Sequence, residues 1–433
     1  MTQPESTTMI RTSRKKKWIL ALLVLLLTLL FIELISFTSF FIVTRQVFSF
    51  TEVNAARARI IENVPGDEGF EVAGLRIPWN VPIHPYYGFG KPEGFNFLQQ
   101  PDDEIQNDPN GVIVAITGGS VAFGLYKEKK DALQTYLQEI PEFEGKNIHV
   151  VLLGYFAWKQ PQQVTALTYY LTMGGKADIV INLDGHNEVV DANTNYRKGV
   201  FPAYPWLWYN LASNTMSAKE LRLIGEVRYW KNLRHSTAKS AEKVTYGVST
   251  NVIWYFLDRL IESGIEQRSV RLSELQSSEE KSRPFRRFGP DRQFSTRESR
   301  LEYSTQIWQS SSIQLDRITK ANGGEYFHFL QPNQYVPQSK TFTRAERRKA
   351  YDSRRAGAIR VGYPYLLKAS AVLQEEQVQF FDLTGIYKDV KETVYRDSCC
   401  HVNKFGNELM AREIGARIVQ YYADKRQIPA RTD

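Results

Sequence analysis

Cysteine is nearly absent from this sequence, and its two copies, Cys399 and Cys400, are adjacent. Neighbouring cysteines close a disulfide only through a strained ring, so a framework of disulfide staples is excluded. A structural zinc site needs further ligands at suitable spacing, and no second cysteine pair exists to supply them. We therefore predict no metal site. We expect the pair to be two small residues packed behind a loop, with redox chemistry as the alternative.

Internal repeats, low-complexity tracts and nucleic-acid signatures are also missing. The 433 residues are 42% hydrophobic and 13% aromatic, which excludes a wholly disordered or fibrous chain and provides for a core. The net charge is +8, but five basic residues, at positions 11 and 14–17, lie immediately before the longest apolar run. Much of the basicity therefore reflects membrane topology, and we predict neither a nucleic-acid partner nor a cofactor.

The apolar run covers residues 18–43, 26 residues with a single acid, Glu33. It is long enough to cross a bilayer core of ~30 Å, longer than the core of a signal peptide, and not followed by a small-residue cleavage site. We interpret it as an uncleaved anchor in the lipid bilayer. Its basic flank predicts that residues 1–17 are cytoplasmic and that everything after about residue 44 is outside the cytoplasm. We expect Glu33 to snorkel or to pair with another helix.

Strands and helices alternate after a loop-rich juxtamembrane segment, residues 44–107. Residues 108–425 form the predicted main domain, with helical periodicity at 131–140, 162–173, 305–320 and 361–373 and a last helix at 403–422. Short apolar segments between these helices indicate buried strands at 112–117, 149–153, 178–183, 326–330 and 378–383. This alternation predicts an α/β fold in which helices cover both faces of a five-stranded parallel sheet.

One long stretch, about 190–302, interrupts the alternation and is predicted to be an insertion. It contains amphipathic helical segments such as 252–265, and a charge-dense tract, 268–300, that we expect to be mobile. It also contains the aromatic segment FPAYPWLWYN, residues 201–210. That segment fits either a surface for sugar rings or acyl chains or an interfacial belt against the membrane.

Residues with catalytic potential follow the predicted strands, at the sheet edge where ligands gather in parallel α/β proteins. Ser120 follows the first strand, Gly154 the second and Asn187 the third, while Asp397 and His401 lie before the last helix. A serine becomes a nucleophile when an imidazole takes its proton and a carboxylate fixes the ring. The Ser120 and Gly154 amides and the Asn187 side chain can stabilise an oxyanion.

The segments GGSVAFG, the Gly154 turn, DGHNE and DSCCHVN resemble, in order, the four blocks of the SGNH (GDSL-like) hydrolase superfamily. The resemblance covers roughly residues 108–190 and 303–420, and its style is that of single-pass, membrane-anchored bacterial members. It implies a flavodoxin-like three-layer α/β/α sandwich in which Ser120 is the nucleophile and His401 the base. It also implies that Ser120, Gly154 and Asn187 form the oxyanion hole, and that the protein is in a bacterial inner membrane with a periplasmic or extracellular domain.

Two positions depart from the family pattern. Gly119 replaces the usual aspartate of the first block, and we expect altered loop rigidity there. The catalytic aspartate usually precedes the histidine by three residues, whereas Asp397 precedes His401 by four and Ser398 occupies the usual place. We expect the turn to absorb the extra residue; the alternative is that another group orients His401.

These residues lead to two hypotheses about function. The first is an extracytoplasmic esterase or O-acyltransferase with a Ser-His-Asp triad, acting on an acyl ester, such as acetyl, of a carbohydrate or lipid-like substrate. Hydrolysis and transfer share the first half-reaction, so the motif does not separate them. The second is a catalytically inactive SGNH-fold module for binding or assembly in an envelope polysaccharide system. His186, at a variable position of the third block, is predicted to be a pocket wall.

Overall fold

The computed structural model describes residues 14–62, 69–72, 75–78, 82–91, 93–95, 100–197, 200–206, 208, 217–279 and 292–427. In these ranges the helices are α1 (Arg14–Thr44), α2 (Phe50–Glu62), α3 (Asp103–Gln106), α4 (Ser120–Leu137), α5 (Gln162–Thr172), α6 (His186–Arg197), α7 (Ala218–Val244), α8 (Val248–Glu279), α9 (Arg297–Ala321), α10 (Arg344–Lys349), α11 (Ser353–Glu375) and α12 (Lys404–Gln427). The strands are β1 (Gly69–Val72), β2 (Leu75–Pro78), β3 (Ile83–His84), β4 (Gly88–Phe89), β5 (Gly111–Gly118), β6 (Asn147–Gly154), β7 (Ile179–Asp184), β8 (Glu325–Leu330) and β9 (Gln379–Asp382).

The chain forms two compact units. The helical unit comprises Met1–Asn80 and Met216–Glu279, and the sheet unit comprises Val81–Thr215 and Glu280–Asp433. Residues 216–279 of the predicted insertion are thus grouped with the N-terminal segment.

The sheet unit is built on five parallel strands in the order β6-β5-β7-β8-β9. In chain order this is second, first, third, fourth and fifth, the flavodoxin-like arrangement. The five predicted strands and the α/β fold class are confirmed, and no strand end differs from its predicted position by more than two residues. The carboxyl ends of β5, β6 and β7 lie side by side, which places the segments after them at one edge.

Alternating side chains of the interior strand β5 contribute to two cores, one on each face of the sheet. Val114 and Ile116 face a cluster that includes residues of α4 and α12, and Ile113 and Ala115 face a cluster with residues of α5, α9 and α11. Because each fully buried aliphatic side chain stabilises the fold by roughly 1.5–3 kcal/mol, a strand apolar on both faces is stable only between two helical layers. The result is the three-layer sandwich.

The helix predicted at 131–140 starts eleven residues earlier in the structure. Helix α4 begins at Ser120, much earlier, and its backbone leaves helical geometry at Lys129 (φ −144°). The glycines of GGSVAFG have poor helix propensity, so the sequence pattern concealed the first turns.

The helical unit contains the candidate anchor. Among the described residues, the segment Lys16–Thr44 of α1 is the one helix long and apolar enough to cross a membrane. Helix α2 lies within the segment predicted to be loop-rich, and α7 and α8 form an antiparallel hairpin in which Arg234 donates to both carboxylate oxygens of Asp258 (2.7 and 2.9 Å).

The tract predicted to be mobile is helical at both ends. Helix α8 continues to Glu279, and α9 starts at Arg297. Residues 280–291 of this tract lie outside the described residues. Within the described residues, Arg268, Arg271 and Glu274 of this tract lie on α8, and Arg297, Glu298 and Arg300 lie on α9.

Candidate active site

Ser120 lies at a sharp junction between β5 and α4 that two glycines make possible. Gly118 has φ +140°, and a Cβ there would lie 2.2 Å from the Leu183 carbonyl oxygen. Gly119 is the N-cap of α4, and a Cβ there would lie 2.4 Å from the Asn187 Nδ2 atom. A glycine at position 119 thus leaves room for the Asn187 amide at the junction. Ser120 is the first residue of α4, where backbone N–H groups have no partner within the helix.

The structure brings together Ser120, His401 and Asp397 in one hydrogen-bonded chain. The Ser120 Oγ lies 2.7 Å from His401 Nε2, and His401 Nδ1 lies 2.6 Å from Asp397 Oδ2. The other carboxylate oxygen of Asp397 accepts from the backbone N–H groups of Cys399 (2.9 Å) and His401 (3.4 Å). The turn therefore wraps around the carboxylate and absorbs the extra residue. We call these three residues the open triad.

The charges of the open triad stabilise each other. Burial disfavours the charged imidazole, but the hydrogen bond and charge of Asp397 outweigh it and raise the pKa of His401 above its usual 6.5. Burial also disfavours the carboxylate, but the hydrogen bonds from His401 and from backbone N–H groups lower the pKa of Asp397 to about 2. At neutral pH Asp397 is an anion that holds the Nδ1 proton, and Nε2 is directed at the serine oxygen.

The predicted oxyanion donors lie at the same sheet edge. Gly154 ends β6 in register with Gly118, and a Cβ on Gly154 would lie 2.6 Å from the Gly118 carbonyl oxygen. Asn187, the second residue of α6, donates from Nδ2 to the Trp158 carbonyl oxygen at 2.7 Å. A side-chain amide has two N–H donors, so this bond fixes the group and leaves one N–H free for an oxyanion.

A buried acid that the sequence analysis did not single out, Glu188, braces this edge. Its Oε1 accepts from the Gln160 N–H (3.0 Å), after β6, and its Oε2 accepts from the Gly185 N–H (2.9 Å), after β7. Burial raises the pKa of Glu188 to about 8. The signal in the sequence for this role of Glu188 was its position next to Asn187 in DGHNE, among buried residues. By joining the two segments, Glu188 positions the Asn187 side chain relative to Gly154.

A second chain of the same residue types lies inside the sheet unit. Ser312 Oγ is 2.7 Å from His328 Nδ1, and His328 Nε2 is 2.9 Å from Asp184 Oδ1. Asp184 also accepts from Trp308 Nε1 at 2.7 Å. None of Ser312, His328 and Asp184 is more than 2% exposed. We call them the buried triad; it links α9, β8 and β7 and is closed to solvent.

His186, Cys399 and Cys400 form a buried group whose ligand atoms lie within 4.8 Å of one another. Both thiols are free, and the Cys399 Sγ lies 3.5 Å from His186 Nε2. The Asn333 side chain donates to His186 Nδ1 (2.9 Å), because its oxygen already accepts from the Tyr335 N–H (3.1 Å). With Nδ1 accepting this hydrogen bond, it cannot donate to an outer partner as the second nitrogen of a metal-bound histidine does, which opposes a metal at Nε2. His186 is 2% exposed and lies behind the site, not on a pocket wall.

No protein-family model matches the chain, and no curated protein matches its sequence. Among solved structures, the acetyl xylan esterase AlAXEase is similar with a TM-score of 0.32 and 10% identity, over 72% of this chain and 99% of that chain. A Bacteroides fragilis NCTC 9343 protein named as an acylhydrolase is similar with a TM-score of 0.30 and 10% identity, over 75% of this chain and 92% of that chain.

Proposed function

We propose that the protein is a membrane-anchored SGNH-type serine esterase or O-acyltransferase that acts outside the cytoplasm on an acyl ester of a carbohydrate or lipid-like substrate. The observation that carries the proposal is the continuous hydrogen-bonded chain from Ser120 through His401 to Asp397. Its serine lies at the N-terminus of a helix, beside two further candidate donors for an oxyanion.

The reaction follows from these positions. Ser120 Oγ attacks the acyl carbonyl carbon as its proton moves to His401 Nε2, and the carbonyl oxygen becomes an oxyanion. The Ser120 and Gly154 N–H groups and the Asn187 amide stabilise that charge. The tetrahedral intermediate collapses, the C–O bond to the alcohol breaks, and His401 gives its proton to the leaving oxygen. Water, or a sugar hydroxyl in a transferase, then releases the acyl group from Ser120 by the reverse sequence.

Aromatic side chains beside the site support a carbohydrate or acyl-chain substrate. Phe156, two residues after Gly154, is 42% exposed. Its ring centroid is 4.4 Å from that of Phe123, in the first turn of α4. Such faces suit sugar rings or acyl chains. The segment FPAYPWLWYN, expected to fill this role or to lie in a membrane belt, contributes less: Trp206 is 4% exposed, and residues 207, 209 and 210 lie outside the described residues.

The proposed location depends on α1. The apolar helix Lys16–Thr44 follows basic residues, so in a bacterial inner membrane it would hold residues 1–17 in the cytoplasm and the residues after about 44, which include the whole sheet unit, outside it. A substrate in the cell envelope would then be within reach of the anchored site.

A fluorophosphonate probe tests the proposal on the full-length chain in detergent. We expect covalent labelling of the unchanged chain and of Ser312→Ala, and no labelling of Ser120→Ala. Ser312→Ala is the matched control, since it removes the hydroxyl of the buried triad. Equal labelling of Ser120→Ala would overturn Ser120 as the nucleophile. A folded chain that never reacts with the probe or with aryl acetates would favour a binding module.

A further inference from the structure

The single acid of the apolar helix, Glu33, binds the tip of the α7–α8 hairpin. Its Oε2 accepts from the Ser249 N–H (3.0 Å), and its Oε1 accepts from the Ser249 hydroxyl (2.6 Å). A Cβ on Gly247 would lie 2.5 Å from Glu33 Oε1, so the tip approaches through a glycine. A carboxylate at the start of α8 satisfies free N–H groups and interacts favourably with the helix dipole. Glu33 is thus paired with another helix, one of the two expected arrangements.

A second contact fixes how the two helices lie. The ring of Phe40 packs against Tyr255 and Phe256, with centroids 5.0 and 6.3 Å away. Glu33 and Phe40 are seven residues apart, as are Ser249 and Phe256. The equal spacing means that α1 and α8 run side by side in the same direction, each rising about 10 Å between the two contacts. The hairpin tip therefore lies level with Glu33, which is nearer to the middle of the apolar run than Phe40 is.

The depth of the tip follows from the length of α1, if α1 spans the bilayer as proposed above. A hydrocarbon core of ~30 Å takes about 20 residues. With Lys16 and Lys17 at the cytoplasmic surface, that core ends near residue 37, and Glu33 lies about 6 Å inside its outer edge. Ser249 and the tip share this level, which is the depth at which interfacial helices bury their apolar faces.

The surface of the hairpin matches that depth. Tyr246 at the tip is 86% exposed, and Ile253 and Leu260 on α8 are 67% and 68% exposed. Ile253, Leu257 and Leu260 follow the i, i+4, i+7 spacing of one helix face. Residues 248–257 contain no charged side chain, and the first charge of α8 is Asp258. At about 1.5 Å per residue from Ser249, Ile253 lies level with the outer edge of the core, whereas Leu257 and Leu260 lie about 6 and 10 Å beyond it. The side chains at the tip and Ile253 are therefore the ones that would contact acyl chains.

We propose that the α7–α8 hairpin inserts its tip into the outer leaflet of the bilayer beside α1, and that its partner is phospholipid. Lys239 and Lys243, both exposed on α7 near the tip, are placed to extend their ammonium groups to lipid phosphates. This arrangement would hold the helical unit against the membrane through three helices instead of one. The inference rests on the proposed anchor and goes beyond it.

Accessibility of single cysteines tests the insertion. The full-length chain with Cys399→Ser and Cys400→Ser is reconstituted into vesicles of phosphatidylcholine and phosphatidylglycerol, with one cysteine added as Tyr246→Cys, Leu25→Cys or Lys219→Cys. A membrane-impermeant maleimide is applied before and after denaturation in dodecyl sulfate. We expect Tyr246→Cys to lose labelling in vesicles to the level of Leu25→Cys, while Lys219→Cys at the far end of α7 reacts. A bimane attached at position 246 should be quenched by lipids that carry a nitroxide on the acyl chain.

The controls separate the ways in which the inference can fail. If Tyr246→Cys reacts like Lys219→Cys while Leu25→Cys is protected, the anchor holds and the insertion is wrong. If Leu25→Cys also reacts, the proposed anchor is wrong and the insertion falls with it. Protection at position 246 without quenching by nitroxide lipids would show that protein covers the tip, which also overturns the proposal.

Discussion

The open triad and the buried triad use the same three residue types in the same unit with opposite arrangements. In the open triad the serine faces Nε2 of the imidazole and the aspartate faces Nδ1; in the buried triad the serine faces Nδ1 and the aspartate Nε2. The carboxyl side chain of Asp397 is 42% exposed, whereas that of Asp184 is 1% exposed. The same series of hydrogen bonds, from serine through histidine to aspartate, can therefore serve as a reaction centre or as an internal brace.

The position of the serine within its helix distinguishes the open triad from the buried triad. Ser120 begins α4, where N–H groups are free, while Ser312 lies inside α9, where each N–H is already bonded within the helix. Ser312 Oγ is also 3.2 Å from the Tyr326 hydroxyl, so it is held on two sides. A hydrogen-bonded Ser-His-Asp chain indicates catalysis only with access to solvent and donors for an oxyanion.

The largest expected effect comes from the substitution that removes the nucleophile of the open triad. Ser120→Ala should reduce kcat/KM for an aryl acetate by about 10⁴–10⁶, because the acyl-enzyme can no longer form. Ser312→Ala should leave kcat/KM unchanged, as it is remote from the reacting atoms. Steady-state kinetics of the purified pair check this; comparable losses in both would erase the distinction.

Next in size is the loss of the group that orients the imidazole. Asp397→Asn should lower kcat by about 10³–10⁴, because the amide no longer holds a proton on Nδ1. The measurement is kcat at saturating ester, with the fold checked by circular dichroism. A folded variant with full kcat would mean that another group orients His401.

The next substitution removes Asn187, the proposed oxyanion donor beside Ser120, since such a donor is what distinguishes the open triad from the buried triad. Asn187→Ala should reduce kcat by about 10²–10³ with a smaller change in KM, since the amide acts on charge that develops in the transition state. A rise in KM alone would show that Asn187 binds the substrate in its ground state.

The pH dependence of kcat/KM should also distinguish the open triad, with His401 as its base, from the buried triad. Protonated His401 does not accept the serine proton, so kcat/KM should fall as pH decreases through the His401 pKa, with a midpoint above 6.5. In Asp397→Asn that midpoint should move lower, because the negative charge that raises the pKa is gone. The contribution of Asp397 to stability changes in the same direction but at lower pH: it is present above pH 3.8 and is lost as pH falls towards about 2. A midpoint unaffected by Asp397→Asn would contradict this coupling.

The smallest expected effect is on the buried triad. Ser312→Ala leaves His328 Nδ1 without its partner in a dry interior, which should cost about 1–3 kcal/mol of folding free energy. Thermal unfolding beside Ser120→Ala measures it, and the nucleophile variant should unfold close to the unchanged chain. An unchanged midpoint in Ser312→Ala would mean that water replaces the hydroxyl.

The sequence predicted the sheet because its strands are apolar on both faces and end in glycine or polar segments. It also placed Ser120 at one sheet edge, since parallel strands end together, whereas Asp397 and His401 follow no predicted strand and were assigned through the resemblance of DSCCHVN to a known motif. The bracing role of Glu188 was not predicted, because it depends on two backbone amides in separate segments. The buried triad was missed for the same reason: Asp184, His328 and Ser312 meet only through strand register and helix packing.

Helix α12 and the turn before it come late in the chain. Met410 and Ile414 of this helix pack with Val121 and Leu125 of α4 in the core on one face of the sheet, while His401, just before the helix, lies 281 residues from Ser120 along the chain. A nascent chain that stops before this segment would lack His401, the base in the proposed mechanism, and would leave one sheet face without the cover that α12 provides. The core on that face and the proposed chemistry would therefore be completed together, by the last part of the chain to be synthesised.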